Sequence, residues 1–118
     1  MSGTKIMRRI VVPLTMAATL MSAVPAQAAV ASHITITYTS NFNGKILSGS
    51  SHCISHRTVK LFRHTASGDT LMGTGTSTTG GLWSINSTTH HGKYFVKMPA
   101  QTKMGTICAA AKSNTIGV

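Results

Sequence analysis

The sequence predicts an all-β fold: an antiparallel sandwich of about seven strands, closed by one disulfide. Three observations carry that expectation. Short segments such as "HITITY" and "RTVKLFR" alternate apolar and polar residues with period two, the mark of a half-buried strand. Turn signals rich in Gly, Asn, Asp and Ser separate these segments at spacings of roughly 8–12 residues. No segment joins helical periodicity to capping residues, and the alanines of "CAAAK" are too few to hold a helix alone.

The chain begins with "MSGTKIMRRI", which carries Lys5, Arg8 and Arg9 and no acid. An apolar run, "IVVPLTMAATLMSAV", follows, and "PAQA" then places small residues at Ala26 and Ala28. A basic start, a short apolar middle and an A-x-A end predict a secretory signal peptide over residues 1–28. The run is shorter than the ~20 apolar residues a membrane span requires, and no later stretch approaches that length. Residues 29–118 form the expected mature domain, a single small one.

"HITITY" sets Ile34, Ile36 and Tyr38 on one face and Thr35 and Thr37 on the other. Asn43-Gly44 reads as a turn. "KILSGSSHC" is a weaker strand, and "RTVKLFR" places Val59 and Leu61 opposite Lys60 and Phe62. Ser67-Gly68-Asp69 marks a further turn, and the glycine-rich "TLMGTGTSTTGG" suits an irregular or edge strand. Gly80-Gly81 and Gly92 end turns that need positive φ, and a strand starts after each. Trp83 and Tyr94, each two residues past its glycine, become the first inward side chains of two neighbouring strands. "TICAAAKSNTIGV" supplies the last strand region, with Cys108 and Ala110 on one face.

Cys53 and Cys108 are the only cysteines. In an exported chain an even count predicts a disulfide, and two cysteines leave one intramolecular pairing. Three of the 11 Lys and Arg fall in the signal, so eight stand against the single acid, Asp69, and the mature charge is +7. Such a balance favours polyanions, although the basic residues are spread along the chain and no recognised nucleic-acid module is present.

"TSTTGGLWSINS…HGKYFVKM" resembles the T-x-x-x-G-x-W/F…G-x-Y pattern of carboxypeptidase-regulatory-like and transthyretin-like (prealbumin-like) β-sandwiches. "CISHRTVKLFR" and "CAAAKSNTIGV" are similar to the cysteine-bearing and closing strands of small exported bacterial members. The resemblance implies a sandwich of transthyretin-like or immunoglobulin-like strand order acting as an accessory or adhesion module. The Y-R-G-S-type motif of the hydrolases on that fold is absent, so their activity is not implied.

One acid excludes a paired-carboxylate acid/base site. A Ser-His-Asp triad would have to use Asp69, which reads as a turn former, and there is no G-x-S-x-G elbow. No enzymatic activity and no cofactor is therefore expected. The best candidate binding surface is Phe62 and Phe95, read as exposed aromatics pointing away from the core and flanked by Lys60, Arg63, Lys93 and Lys97. Aromatics among cations suit sugar rings or polyanions. The expected function is thus a non-enzymatic secreted or envelope-exterior module that binds anionic cell-wall polymer or another surface ligand. The alternative is an exported copper- or zinc-binding protein using His33, His52 and His56, with His33 chelating copper if cleavage after Ser32 made it the N-terminus.

Overall fold

The computed structural model describes residues 28–88 and 91–118. The expected signal peptide lies outside the described residues except for its last position, Ala28. Eleven strands appear among the described residues: β1 (Ser32–Ile34), β2 (Thr37–Tyr38), β3 (Phe42–Ser48), β4 (Thr58–Thr65), β5 (Gly68–Thr76), β6 (Leu82–Ile85), β7 (Lys93–Met98), β8 (Gln101–Lys103), β9 (Thr106–Cys108), β10 (Ala111–Lys112) and β11 (Ile116–Gly117). All pair antiparallel. In the first sheet β3 is central, with β1 and β2 along one edge and β6 on the other. In the second the order is β5-β4-β7, and β10 and β11 both run along the free edge of β7. Two edge strands are each broken in two. Counted as ribbons, the sheets therefore contain the seven strands the sequence predicts, and the small hairpin β8–β9 is added outside them.

The core lies between the sheets. Ile34, Ile36, Phe42, Ile46, Trp83 and Ile85 come from the first, and Val59, Leu61, Tyr94, Val96 and Met98 from the second. Each set is one face of an alternating strand, so the period-two pattern translates directly into two apolar surfaces that exclude water together. Phe42 and Tyr94 meet across the gap with ring centroids 4.6 Å apart.

Gly81 (φ 86°) and Gly92 (φ 122°) take the positive φ expected of them, and Trp83 and Tyr94 are buried two residues later. The two strands are not neighbours, however: β6 belongs to the first sheet and β7 to the second. The chain crosses the sandwich between them, so the repeated rule sets one aromatic on each wall of the core.

Asn43-Gly44 is not a turn, contrary to the sequence reading. Both residues sit inside β3, and residues 39–41 make the connection from β2. The reason is tertiary. Gly44 pairs with Trp83 on β6, and the indole lies over it to donate from Nε1 to the Thr35 carbonyl at 3.1 Å. A Cβ on Gly44 would fall 2.0 Å from that carbonyl oxygen and 2.7 Å from the indole nitrogen. With its carbonyl engaged by Trp83, Thr35 uses its hydroxyl to accept the Lys45 amide at 2.9 Å, and the edge strand splits there into β1 and β2. Gly44→Ala is accordingly expected to destabilise the fold by about 3 kcal/mol or more, because backbone or indole must shift. Urea denaturation checks this; a loss below about 1 kcal/mol would contradict the packing argument.

Cys53 and Cys108 are joined, as expected, and both are fully buried. Cys53 closes a 3-10 turn over Ser51–Cys53, whose start is capped by Ser50 accepting from the His52 amide. Cys108 ends β9, so the bridge fastens the β8–β9 hairpin to the entry of β4. Ala110 is exposed rather than sharing the buried face of Cys108. The chain leaves the ladder between β9 and β10, and alternation does not carry across that break.

Candidate functional site

The outer face of the second sheet follows from the same alternation that builds the core. On β4, Val59 and Leu61 point inward and Lys60 and Phe62 outward; on β7, Tyr94, Val96 and Met98 point inward and Lys93, Phe95 and Lys97 outward. Register then decides what meets. Lys60 lies opposite Lys97, and Lys97 lies opposite Lys112 of β10, so three lysines form one line across three adjacent strands. The next line is Leu71, Phe62 and Phe95 across β5, β4 and β7. Beyond it come Asp69, His64 and Lys93.

Phe62 and Phe95 stack at 5.5 Å between centroids and 13° between planes. Lys112 Nζ sits 4.5 Å from the Phe95 centroid, and Lys97 Nζ sits 5.4 Å from that of Phe62 and 5.9 Å from that of Phe95. Like charges directly opposite on a sheet repel. The ring faces offset part of that by holding two of the ammonium groups. Beside the line opens a groove of about 460 Å³ lined by Lys60, Phe62, Lys97, Pro99, Ala110 and Lys112. A row of ammonium groups at the rim of an open groove attracts an anion.

Four of the six predicted surface residues, Lys60, Phe62, Phe95 and Lys97, come together here. Lys93 stands on the same face but on the far side of the aromatic pair, next to His64. Phe95 is not exposed, as read from the sequence. It points away from the core but is only 2% accessible, covered by Phe62 and the lysines above it. Arg63 does not belong to the face. It pairs with Tyr94, whose side chain is in the core, and its Nε is buried against Gly92 with no hydrogen-bond partner among the described residues. Lys112 was invisible to the sequence reading. Its strand has two residues, and nothing in "CAAAKS" indicates pairing with β7.

A second residue missed from the sequence is Arg57, which is wholly buried although it carries a charge. Its guanidinium donates to the carbonyls of Cys53 (2.9 Å), Pro99 (3.0 Å) and Ala109 (3.1 Å), to Gln101 Oε1 (3.1 Å) and to Ser32 Oγ (3.4 Å). No carboxylate is among these partners. Desolvation lowers its pKa from the usual guanidinium value. Such a cation is solvated by protein oxygens instead of water, which makes Arg57 an organiser of the disulfide end and removes it from the pool of ligand-binding charges.

The histidines of the metal reading are dispersed. His33 is exposed on β1 opposite Leu47, His52 is exposed in the 3-10 turn, and His56 is exposed with Nδ1 2.7 Å from Ser55 Oγ. Among the described residues no three of His, Cys, Asp and Glu come together to hold a metal ion. A mature chain starting at His33 would also discard bonds of the fold: Val30 donates to Ile107 and accepts from Ala109, and Ser48 donates to Ala31. His64 and Asp69 pair at 2.8 Å across the β4–β5 ladder; contrary to the sequence reading Asp69 is a strand residue opposite His64, and residues 66–67 make the turn.

No helix among the described residues is long and apolar enough to cross a membrane. The chain matches no family model, no curated protein and no solved structure.

Proposed function

We propose that this chain is a non-enzymatic exported module that holds an anionic polymer of the cell envelope on the outer face of its second sheet. The observation that carries the reading is the in-register line Lys60–Lys97–Lys112 beside an open groove. Folding alone would not select three like charges in mutual opposition, since each neighbouring pair is destabilising. A polyanion supplies the missing counter-charge. The oxidised Cys53–Cys108 pair supports a location outside the reducing cytosol. The +7 charge of residues 29–118, with a single acid, supports charge-driven and non-covalent association. The motif likeness to transthyretin-like accessory sandwiches points to the same non-catalytic class.

Two measurements test it. Retention of the mature domain on isolated envelope should fall steeply between about 0.05 and 1 M salt, where the screening length shrinks to about 3 Å. Retention that ignores salt would sink the charge mechanism. Lys60→Glu should move stability and binding in opposite directions. Opposing Glu to Lys97 replaces repulsion with attraction, so the variant should gain a few tenths to about 1 kcal/mol in thermal unfolding. The same change should weaken envelope retention severalfold. A variant that loses stability and keeps full retention would contradict a binding role for the line.

A further inference from the structure

We infer that the protein forms a two-fold dimer in which the free edge of β5 pairs antiparallel with the same edge of a second copy. The observations behind this are independent of the function proposed above. The two sheets have four edges, and three of them are short or interrupted: β1 and β2 have three and two residues, β10 and β11 have two each, and β6 has four. β5 is the exception. It runs for nine residues, the longest strand among the described residues, and no strand among those residues pairs with its outer edge. Unpaired N–H and C=O groups along such an edge accept another strand, and proteins ordinarily guard it with Lys, Pro or a short length. "GDTLMGTGT" has no Lys and no Pro. Its one charge, Asp69, lies near its start and is taken up by His64. A bulge at Met72, between the pairs Leu61–Gly73 and Phe62–Leu71, interrupts the ladder and leaves residues 73–76 in regular register beyond it.

Charge selects the occupant. Residues 64–92 contain no Lys or Arg and hold the single acid. They supply β5 and β6, which pack together on one side of the sandwich: a Cβ on Gly73 or Gly75 would fall 2.7 or 3.0 Å from the Ile85 side chain. The strand lysines stand elsewhere, Lys45 on β3, Lys60 on β4, Lys93 and Lys97 on β7, Lys103 on β8 and Lys112 on β10. Two copies that each carry +7 over residues 29–118 therefore repel least when they meet through β5, whereas an acidic partner is drawn to the lysines instead. A two-fold axis normal to the sheet makes the strands antiparallel and the contact isologous, so assembly closes at two and the edge is used up. Leu71, 52% exposed, then gains cross-strand neighbours from the second copy. The same axis turns the outer faces of both second sheets the same way, which places two lysine lines on one continuous surface and lets one polymer engage both.

The test is sedimentation equilibrium of the protein over a range of concentrations, with amide hydrogen exchange read on the same samples. A monomer–dimer equilibrium that stops at the dimer is expected, with β5 amides gaining protection as concentration rises and those of β1 and β10 unchanged. Higher salt should tighten the dimer, because like net charge is what opposes it, while the same salt weakens envelope retention. The two readings therefore fail separately. Leu71→Lys/Thr76→Lys, at two exposed positions of β5, should raise the dimer dissociation constant about tenfold or more. Leu47→Lys/Met104→Lys adds the same charge at exposed positions away from β5 and should leave that constant within a factor of about two. Circular dichroism on each variant separates lost pairing from lost fold. Monomers at every concentration would overturn the self-pairing and leave the edge to a strand of another protein. A dimer that Leu71→Lys/Thr76→Lys leaves intact, or that salt dissolves, would place the contact elsewhere and overturn it equally. Assemblies that keep growing past two copies would show that a second edge is in use and overturn the closed two-fold contact.

Discussion

Arg57→Ala is expected to be among the most destabilising single substitutions in the protein. The side chain is fully buried, and its bonds to Cys53, Pro99, Ala109, Gln101 and Ser32 join the segment before β4 to β1 and to the β8–β9 hairpin. Removing it strands carbonyl oxygens in the interior, each worth about 1–3 kcal/mol unsatisfied, and leaves a cavity as well. The combined loss, about 4 kcal/mol or more, is a large share of the 5–15 kcal/mol typical of a domain. The ranking of replacements is diagnostic. Lysine can still donate three bonds, so Arg57→Lys should be damaged less than Arg57→Met, which fills the volume and satisfies no carbonyl. If methionine proved the milder change in urea unfolding, the packing of the stem and not the solvation of the charge would be what the fold needs.

Reducing the disulfide is expected to lower stability by about 4 kcal/mol. The bridge closes a separation of 55 residues, and the chain-entropy model gives that figure for a loop of this length. Chemical denaturation of the oxidised protein, the reduced protein and Cys53→Ser/Cys108→Ser checks it. A shift under about 1 kcal/mol would mean that the unfolded chain is already restrained without the bridge. The two predictions are coupled. Arg57 bonds the carbonyl of Cys53 and that of Ala109, the residue after Cys108, so guanidinium and sulfur bridge clamp the same pair of segments. Their effects should therefore not add, and a double-mutant cycle should return an interaction of about 0.5–3 kcal/mol. Simple additivity would show that the segments are held independently.

Asn43-Gly44 shows where local reading stops. The dipeptide has the chemistry of a turn, yet the chain spends its glycine on letting an indole from another strand lie flat and reach Thr35. Turn propensity is a weak local preference, and a buried tryptophan with its N–H satisfied outweighs it. Arg57 makes the same point for charge. On a strand-entry segment it looks like any solvated cation, and only the convergence of carbonyls from residues 53, 99 and 109 makes its burial tolerable. The line of lysines was half legible. Alternation put Lys60 and Lys97 outward, but their mutual opposition, and the arrival of Lys112, depend on register between strands far apart in sequence.

What the sequence determined by itself is what period-two patterning, turn glycines and cysteine count can encode: an all-β chain, the inward positions of its strands, the positive-φ turns before Trp83 and Tyr94, and one disulfide. These are properties of a residue and its near neighbours, or of a pairing with no alternative. Tertiary structure alone decided which sheet each strand joined, which charges stand opposite one another and which cation the interior took in. Strand partnership is settled by the free energy of burying two apolar faces together, and that quantity exists only once distant segments have met.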